Sequence, residues 1–112
     1  MPAINLNYAN EGYITQKIID FYTERAKGGV GMIIIGGCSV AKNSGAPSMI
    51  SIEDDKFIPG LKKLADSVHQ HDTKIAAQLY HAGRYAFPFL SGKKIFQLLR
   101  YILDSLNRPR VH

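Results

Sequence analysis

The stretch Val30-Gly31-Met32-Ile33-Ile34-Ile35-Gly36-Gly37 decides the fold. Met32, Ile33, Ile34 and Ile35 form an unbroken apolar run, too short for a helix and rich in β-branching. Such a run predicts a strand over 30–35 that is covered on both faces, as in parallel sheets with helices outside. The strand is expected to end at Gly36-Gly37. A loop with glycines and small polar residues follows, through Ala46-Pro47.

Working outward, the segment before this run predicts a helix over 15–27. Thr15 is its N-cap candidate, and Ile18, Ile19, Tyr22 and Ala26 recur at helical spacing. Gly28 and Gly29 stand where a left-handed C-terminal cap wants glycine. Further upstream, residues 5–12 are polar and turn-like. Residues 1–4 form a short apolar stretch that Pro2 restricts to a strand end or an edge.

Downstream, a second helix is expected to begin between Ser51 and Pro59 and to end near His71. Ser51 with Asp54 resembles a capping box, and Pro59 suits a first helical turn. Leu61, Leu64, Ala65 and Val68 make an amphipathic stripe. Asp72-Thr73 breaks it, and 74–80 reads as a third strand with apolar residues on both faces. The order strand, helix, strand, helix, strand implies an α/β fold with parallel strands and right-handed crossovers.

Composition narrows the classes. The chain has 112 residues, 46% of them hydrophobic and 21% charged, which is ordinary for one small globular domain. No apolar run approaches the ~20 residues of a membrane span. No signal-peptide pattern opens the chain, and a cytoplasmic location is expected. One cysteine excludes an internal disulfide framework and a four-cysteine metal site. The net charge is +5, but Lys93, Lys94, Arg100, Arg108 and Arg110 against Asp104 give the segment from Pro88 onward +4, leaving +1 on the first 87 residues. The basic character belongs to the tail. Neither a nucleic-acid nor a membrane partner is expected; a basic binding module would betray itself by steep salt dependence. Ile95, Leu98, Leu99, Ile102, Leu103 and Leu106 predict a helical tail with an apolar face.

In parallel α/β folds, ligands bind beyond the carboxyl ends of the strands. Gln78 is the most informative residue there. An amide in an apolar strand is costly unless hydrogen-bonded, and it matches a heterocycle with alternating N–H and C=O groups. The alternative is an amide satisfied by neighbouring backbone. Gly36-Gly37 at a strand end either admits a flat ligand against the backbone or makes a plain tight turn. His81 and Arg84 either bind an anion and position a proton or close a strand end with hydrogen bonds. No phosphate-binding glycine fingerprint is present. Cys38 lacks an assignable base and reads as a packing residue. His69 and His71 lie two apart on a helix and do not share a face, so no metal site is expected.

Several blocks together resemble the old yellow enzyme family of NADH:flavin oxidoreductases, whose members include dienoyl-CoA reductase-like enzymes. These are Met1-Pro2-Ala3-Ile4 through Asn7-Tyr8-Ala9; Phe21-Tyr22; Glu24-Arg25-Ala26 into Gly28-Gly29-Val30-Gly31; Ile33-Ile34 to Gly36-Gly37; Ile58-Pro59-Gly60-Leu61-Lys62-Lys63-Leu64; and Lys74-Ile75-Ala76-Ala77-Gln78-Leu79-Tyr80-His81-Ala82-Gly83-Arg84. The match runs from Met1 to about Ala86. The resemblance implies a partial (β/α)8 TIM barrel, its first three or so βα units, over 1–87, followed by a divergent basic tail over 88–112. It implies FMN as cofactor, NAD(P)H as reductant and a small enone or enoyl substrate for the full-length family. By the same resemblance Pro2, Ala3 and Ile4 lie along the flavin, Gly37 with Gly36 lies beside its ring, and Gln78 bonds its pyrimidine edge. His81 and Arg84 occupy motif positions. No catalytic residue is assigned.

The chain departs from the family beyond Ser91-Gly92-Lys93-Lys94. A complete barrel takes about 250 residues and eight strands. The later strands, their phosphate-binding loops, the substrate-polarising pair, the proton donor and the cysteine cluster of the dienoyl-CoA reductase branch are not in this sequence. The start also reads as clipped within the first strand. One expectation is a truncated or frameshifted gene, so that downstream DNA read one base over encodes the remaining strands; DNA with no such frame sinks it. A second expectation is a non-catalytic fragment that self-associates or pairs with a separately encoded remainder. The third is a genuine short protein whose tail covers the open face.

Overall fold

In a computed structural model, the structure describes residues 1–85. The expectations for the segment after residue 85, its helix and its apolar face, lie outside the described residues.

The apolar run around Ile33 forms β1, Met32–Ser39, and the segment after Thr73 forms β2, Lys74–Tyr80. The two pair in parallel, with Ile33 beside Ile75 and Ile35 beside Ala77. β1 runs four residues beyond the expected end. Gly36 and Gly37 stay inside the strand, and the register shifts between Ile35 and Cys38, so that the two glycines oppose Gln78 before Cys38 meets Leu79. The strand continues because Ser39 finds partners of its own: its N–H donates to Ile50 O at 2.8 Å, and its carbonyl accepts from Ile52 N–H at 2.9 Å.

The helices flank this pair. α1, Gln16–Lys27, buries Ile18, Ile19, Tyr22 and Ala26, the four residues read from the spacing. Thr15 is its N-cap in position but not by side chain: its hydroxyl donates to Tyr8 O at 2.7 Å and pins the preceding turn. The left-handed residue at its other end is Gly29, at φ 93°, one position after the cap Gly28. α2, Ile58–His69, follows a 3-10 turn, Asp55–Phe57, and carries Pro59 in its first turn. The capping-box expectation needs correction. Asp54 caps the 3-10 turn by accepting Lys56 N–H at 2.9 Å, whereas Ser51 is buried beside Ser39 in a parallel bridge. Of the α2 stripe, Leu64 and Val68 are fully buried and Leu61 and Ala65 half-buried.

One core results, built on Ile18, Tyr22, Ile33, Ile35, Cys38, Leu64 and Val68. It lies between the two helices and one face of the sheet. Thr73 locks the entry to β2, donating to Val30 O at 2.7 Å, while Lys74 N–H donates to Gly31 O at 3.0 Å.

Two strand expectations are corrected. Residues 1–4 form no strand. Met1 alone brackets Ile33 in the parallel manner, its amine donating to Met32 O at 2.7 Å and its carbonyl accepting Ile34 N–H at 3.1 Å. Pro2 has no N–H to continue the ladder, and Asn7, at φ 55°, turns the chain away. β2 is not apolar-covered on both faces: Ile75 and Ala76 are half-buried, and residues 77–80 are exposed. Among the described residues, β1 alone has neighbours on both edges. No described helix is long and apolar enough to cross a membrane.

Candidate functional site

The carboxyl ends of β1 and β2 and the segment after Met1 meet at Gly36. A Cβ placed on Gly36 would lie 2.8 Å from Ala3 Cβ and 2.8 Å from both Gln78 Cβ and Gln78 Oε1. Real Cβ atoms do not approach that closely, so this convergence needs glycine. Gly36 itself is buried, yet Gln78 is exposed and its amide has no hydrogen-bond partner among the described residues. Of the two readings of Gln78, an amide satisfied by neighbouring backbone is therefore set aside. The costly-burial reasoning is corrected as well, because the residue is not buried.

Gly37 serves the same purpose at the next position. A Cβ there would sit 2.7 Å from Tyr80 Cβ and 3.0 Å from its Cγ. Tyr80, 38% exposed, thus belongs to the strand-end cluster, though sequence reasoning does not single it out. Its only signal is position, two residues after Gln78 on the same face of the strand.

Pro2 and Ile4 flank Ala3 and are exposed, Ile4 at 45%. His81 is exposed just beyond β2. Its Nδ1 accepts Gly83 N–H at 2.9 Å, so in neutral imidazole the proton sits on Nε2. Arg84 lies in the 3-10 turn Gly83–Tyr85. The structure brings Ala3, Gly36 and Gln78 into one cluster with Gly37 and Tyr80 beside it; Pro2 and Ile4 adjoin Ala3 in the chain, and His81 adjoins Tyr80.

A buried hydroxyl pair holds this end of the sheet. Ser39 and Ser44 place their Oγ atoms 2.6 Å apart, Ser44 O accepts Ala82 N–H at 2.7 Å, and Val40 N–H donates to Tyr80 O at 3.2 Å. The loop after β1 is thereby tied to the residues that carry His81. Ser44 is legible in the sequence only as one small polar residue among several.

Cys38 is fully buried between these elements, and burial pushes its thiol from 9.0 up to about 11. Among the described residues it has no charge partner that would stabilise a thiolate, which fits a packing role. Among the described residues no cluster of His, Cys, Asp or Glu would hold a metal. A cavity of about 210 Å³ lies at the far side of the loop, lined by Glu11, Ser39, Asn43, Ser51, Glu53 and Phe57 among others, and does not include Ala3, Gly36 or Gln78.

Two parallel strands alternating with helices, with a glycine-floored cluster at their carboxyl ends, have the architecture of a portion of a (β/α)8 barrel. The chain belongs to the NADH:flavin oxidoreductase / NADH oxidase family, whose sequence profile matches residues 1–94. It is 46% identical over 93 residues to a metal reductase of Desulforamulus reducens, covering 83% of this chain and 14% of that protein. It is 41% identical over 91 residues to an NADH oxidase of Thermoanaerobacter brockii, covering 79% and 14%. The fold matches an Old Yellow Enzyme from a Pichia species with a TM-score of 0.76 at 23% identity, over 85% of this chain and 26% of that one. The chain thus spans about one-seventh of the length of these two curated relatives.

Proposed function

We propose that residues 1–87 carry one wall of an FMN site in an NAD(P)H-dependent oxidoreductase of the ene-reductase type, or in a truncated remnant of one. The observation that supports this best is the convergence of Ala3, Gly36 and Gln78 at the strand ends. The residues suit a flat heterocycle. Gly36 and Gly37, both buried, let Ala3, Gln78 and Tyr80 pack close over their backbone, and Ala3 adds only a methyl group. Gln78 offers one amide that donates and accepts, the pattern of a pyrimidine edge. Pro2 and Ile4 extend the same surface along the ring.

When bound, FMN supplies hydride transfer from a nicotinamide to an electron-poor alkene, such as a small enone or enoyl substrate. The chain's own residues bind and orient. Gln78 fixes the ring's edge, the glycines let Ala3 and Gln78 close up beneath its face, and His81, with its proton on Nε2, stands as a hydrogen-bond donor beyond β2, with Arg84 close in sequence. A reducing compartment such as the cytoplasm suits the single buried cysteine.

The test is a titration of the chain with FMN, followed by flavin fluorescence, with Gln78→Leu beside it. Saturable one-to-one binding that the substitution weakens about tenfold, the worth of one ~1.4 kcal/mol hydrogen bond, is the expected result. No saturable binding by a folded chain would overturn this reading for the chain alone.

A second reading is favoured by the exposure of β2, whose residues 77–80 lie open with Leu79 at 70%. Here the chain acts as a non-catalytic piece that self-associates or pairs with a separately encoded remainder of the barrel. Concentration-dependent sedimentation supports it, and a monomer across the micromolar range that ignores the remainder contradicts it.

A further inference from the structure

The turn that follows β1 is closed by one side chain. Ser44 N–H donates to Ala41 O at 3.1 Å, and Ser44 Oγ accepts Ala41 N–H at 3.2 Å. Asn43, between them, stands at φ 60°, a left-handed conformation that costs a residue with a Cβ some free energy. The Ser44 hydroxyl also meets Ser39 Oγ at 2.6 Å and lies 3.5 Å from Tyr80 O. Ser44 is fully buried and Ser39 nearly so. Removing the Ser44 hydroxyl therefore leaves Ala41 N–H without that acceptor and Ser39 Oγ without its nearest partner, both inside the protein.

The same residue reaches the other strand. Its carbonyl accepts Ala82 N–H at 2.7 Å, while Tyr80 O takes Val40 N–H at 3.2 Å, so the chain is held on both sides of His81. Gly83, left-handed at φ 54°, then turns its N–H to His81 Nδ1 at 2.9 Å, and Ala82 O accepts Tyr85 N–H at 3.0 Å. The second half of the loop is anchored elsewhere: Ala9 N–H donates to Ser48 O and Gly12 N–H to Pro47 O. Among the described residues, Val40 and Ser44 are the members of this loop bonded to residues 80–82.

We propose that Ser44 is a positioning residue of the flavin site: its hydroxyl, paired with Ser39, closes the turn whose carbonyl holds Ala82, and through Ala82 and Gly83 it sets the imidazole of His81. The proposal deepens the FMN reading and rests on it. With Nδ1 engaged as an acceptor, His81 carries its proton on Nε2 and offers that donor in one orientation. Without the Ser44 hydroxyl, the turn at Asn43 loses its closure, the bond to Ala82 loosens and the imidazole is released from Gly83.

NMR of the isotope-labelled chain tests it. The Gly83 N–H···Nδ1 bond carries a scalar coupling between its two nitrogens, which reports that bond alone. At about pH 8.5, where ordinary imidazole is neutral, the parent chain should show this coupling. Ser44→Ala should abolish it and speed amide exchange at Ala82 about tenfold, the effect of one lost hydrogen bond. Thr73→Val is the control: it removes a buried bond at the opposite end of β2 and should leave both readings as in the parent. FMN added to the parent should shift the His81 ring signals together with Gln78, and in Ser44→Ala the Gln78 shift alone should persist. A coupling absent from the parent, retained in Ser44→Ala or lost equally in Thr73→Val overturns the positioning role. The expected coupling pattern with no shift at any FMN concentration upholds the tie from Ser44 to His81 and overturns the flavin reading. If Ser44→Ala does not fold by circular dichroism, Ser39→Ala breaks the hydroxyl pair from the other side and should weaken the coupling; a coupling left intact there overturns the proposal.

Discussion

Gly36→Ala is predicted to destabilise the fold while Gly31→Ala does not. The added methyl group at Gly36 would meet Ala3 Cβ, Gln78 Cβ and Gln78 Oε1 at 2.8 Å each. The Gln78 amide is at the end of an exposed side chain and swings away at little cost. The two Cβ atoms are fixed to backbone and cannot move unless the segment at Ala3 or β2 shifts away from β1. Overpacking of this kind costs about 1–3 kcal/mol. Gly31 is the matched control: nothing lies within 4 Å of its added Cβ, and neither glycine has a positive φ. Both substitutions restrict the unfolded chain equally, by about 0.4–1 kcal/mol in favour of folding, so their difference isolates the clash. Urea denaturation of the two variants should differ by about 2 kcal/mol, or about 8–16 °C in thermal midpoint for a domain of this size. Equal midpoints for the two variants would refute the close approach of Ala3 and Gln78 to Gly36.

Other outcomes follow from the same geometry. Leu64→Ala, at a fully buried position in α2, should cost about 2–5 kcal/mol in urea denaturation, whereas Gln78→Leu should change stability by less than about 0.5 kcal/mol because Gln78 is exposed and unbonded. Thr73→Val removes the buried bond to Val30 O and should cost about 1–3 kcal/mol by the same assay, the carbonyl being left without that donor. Folded-state stability should fall at alkaline pH. Burial raises Tyr22 from 10.0 to about 12, with Cys38 nearby adding to the rise and Arg25 opposing it, and raises Cys38 from 9.0 to about 11. Both groups are neutral when protonated, so the folded state binds their protons more tightly, and its advantage is lost as pH climbs from about 9 to about 12. Urea midpoints across that window should drop, and Tyr22→Phe should flatten the upper end of the decline; a level profile in the parent chain would contradict the buried phenol and thiol. A thiol reagent at neutral pH should label Cys38 only under denaturing conditions.

Much of the fold is legible in the sequence because it rests on local periodicity. The buried stripes of α1 and α2 and the position of β1 follow from apolar spacing, which tertiary structure here reinforces. What is not legible depends on partners distant in sequence. β1 passes through Gly36-Gly37 because Ser39 bonds Ile50 and Ile52, and no local pattern encodes that reach. Ser51 reads as a cap but spends its backbone on Gly12, whose carbonyl accepts Ser51 N–H at 2.9 Å, and Asp54 caps instead. Residues 74–80 read as a covered strand, since their composition is that of a strand with neighbours on both sides; in this chain the cover stops at Ala76. At the site, Gly36 and Gln78 are visible as unusual residues in apolar strands. Tyr80 is not, since an aromatic residue in a strand carries no such signal, and only the packing against Gly37 picks it out.

The most direct measurement of the central claim is a set of amide proton–nitrogen NMR spectra of the chain with increasing FMN. The account predicts saturating shifts concentrated at Ala3, Gly36, Gly37 and Gln78, with the α2 amides around Leu64 unmoved. Shifts that cluster elsewhere, such as around Glu11, Asn43 and Glu53 in the loop cavity, or none at any FMN concentration, would contradict a flavin wall at the ends of β1 and β2.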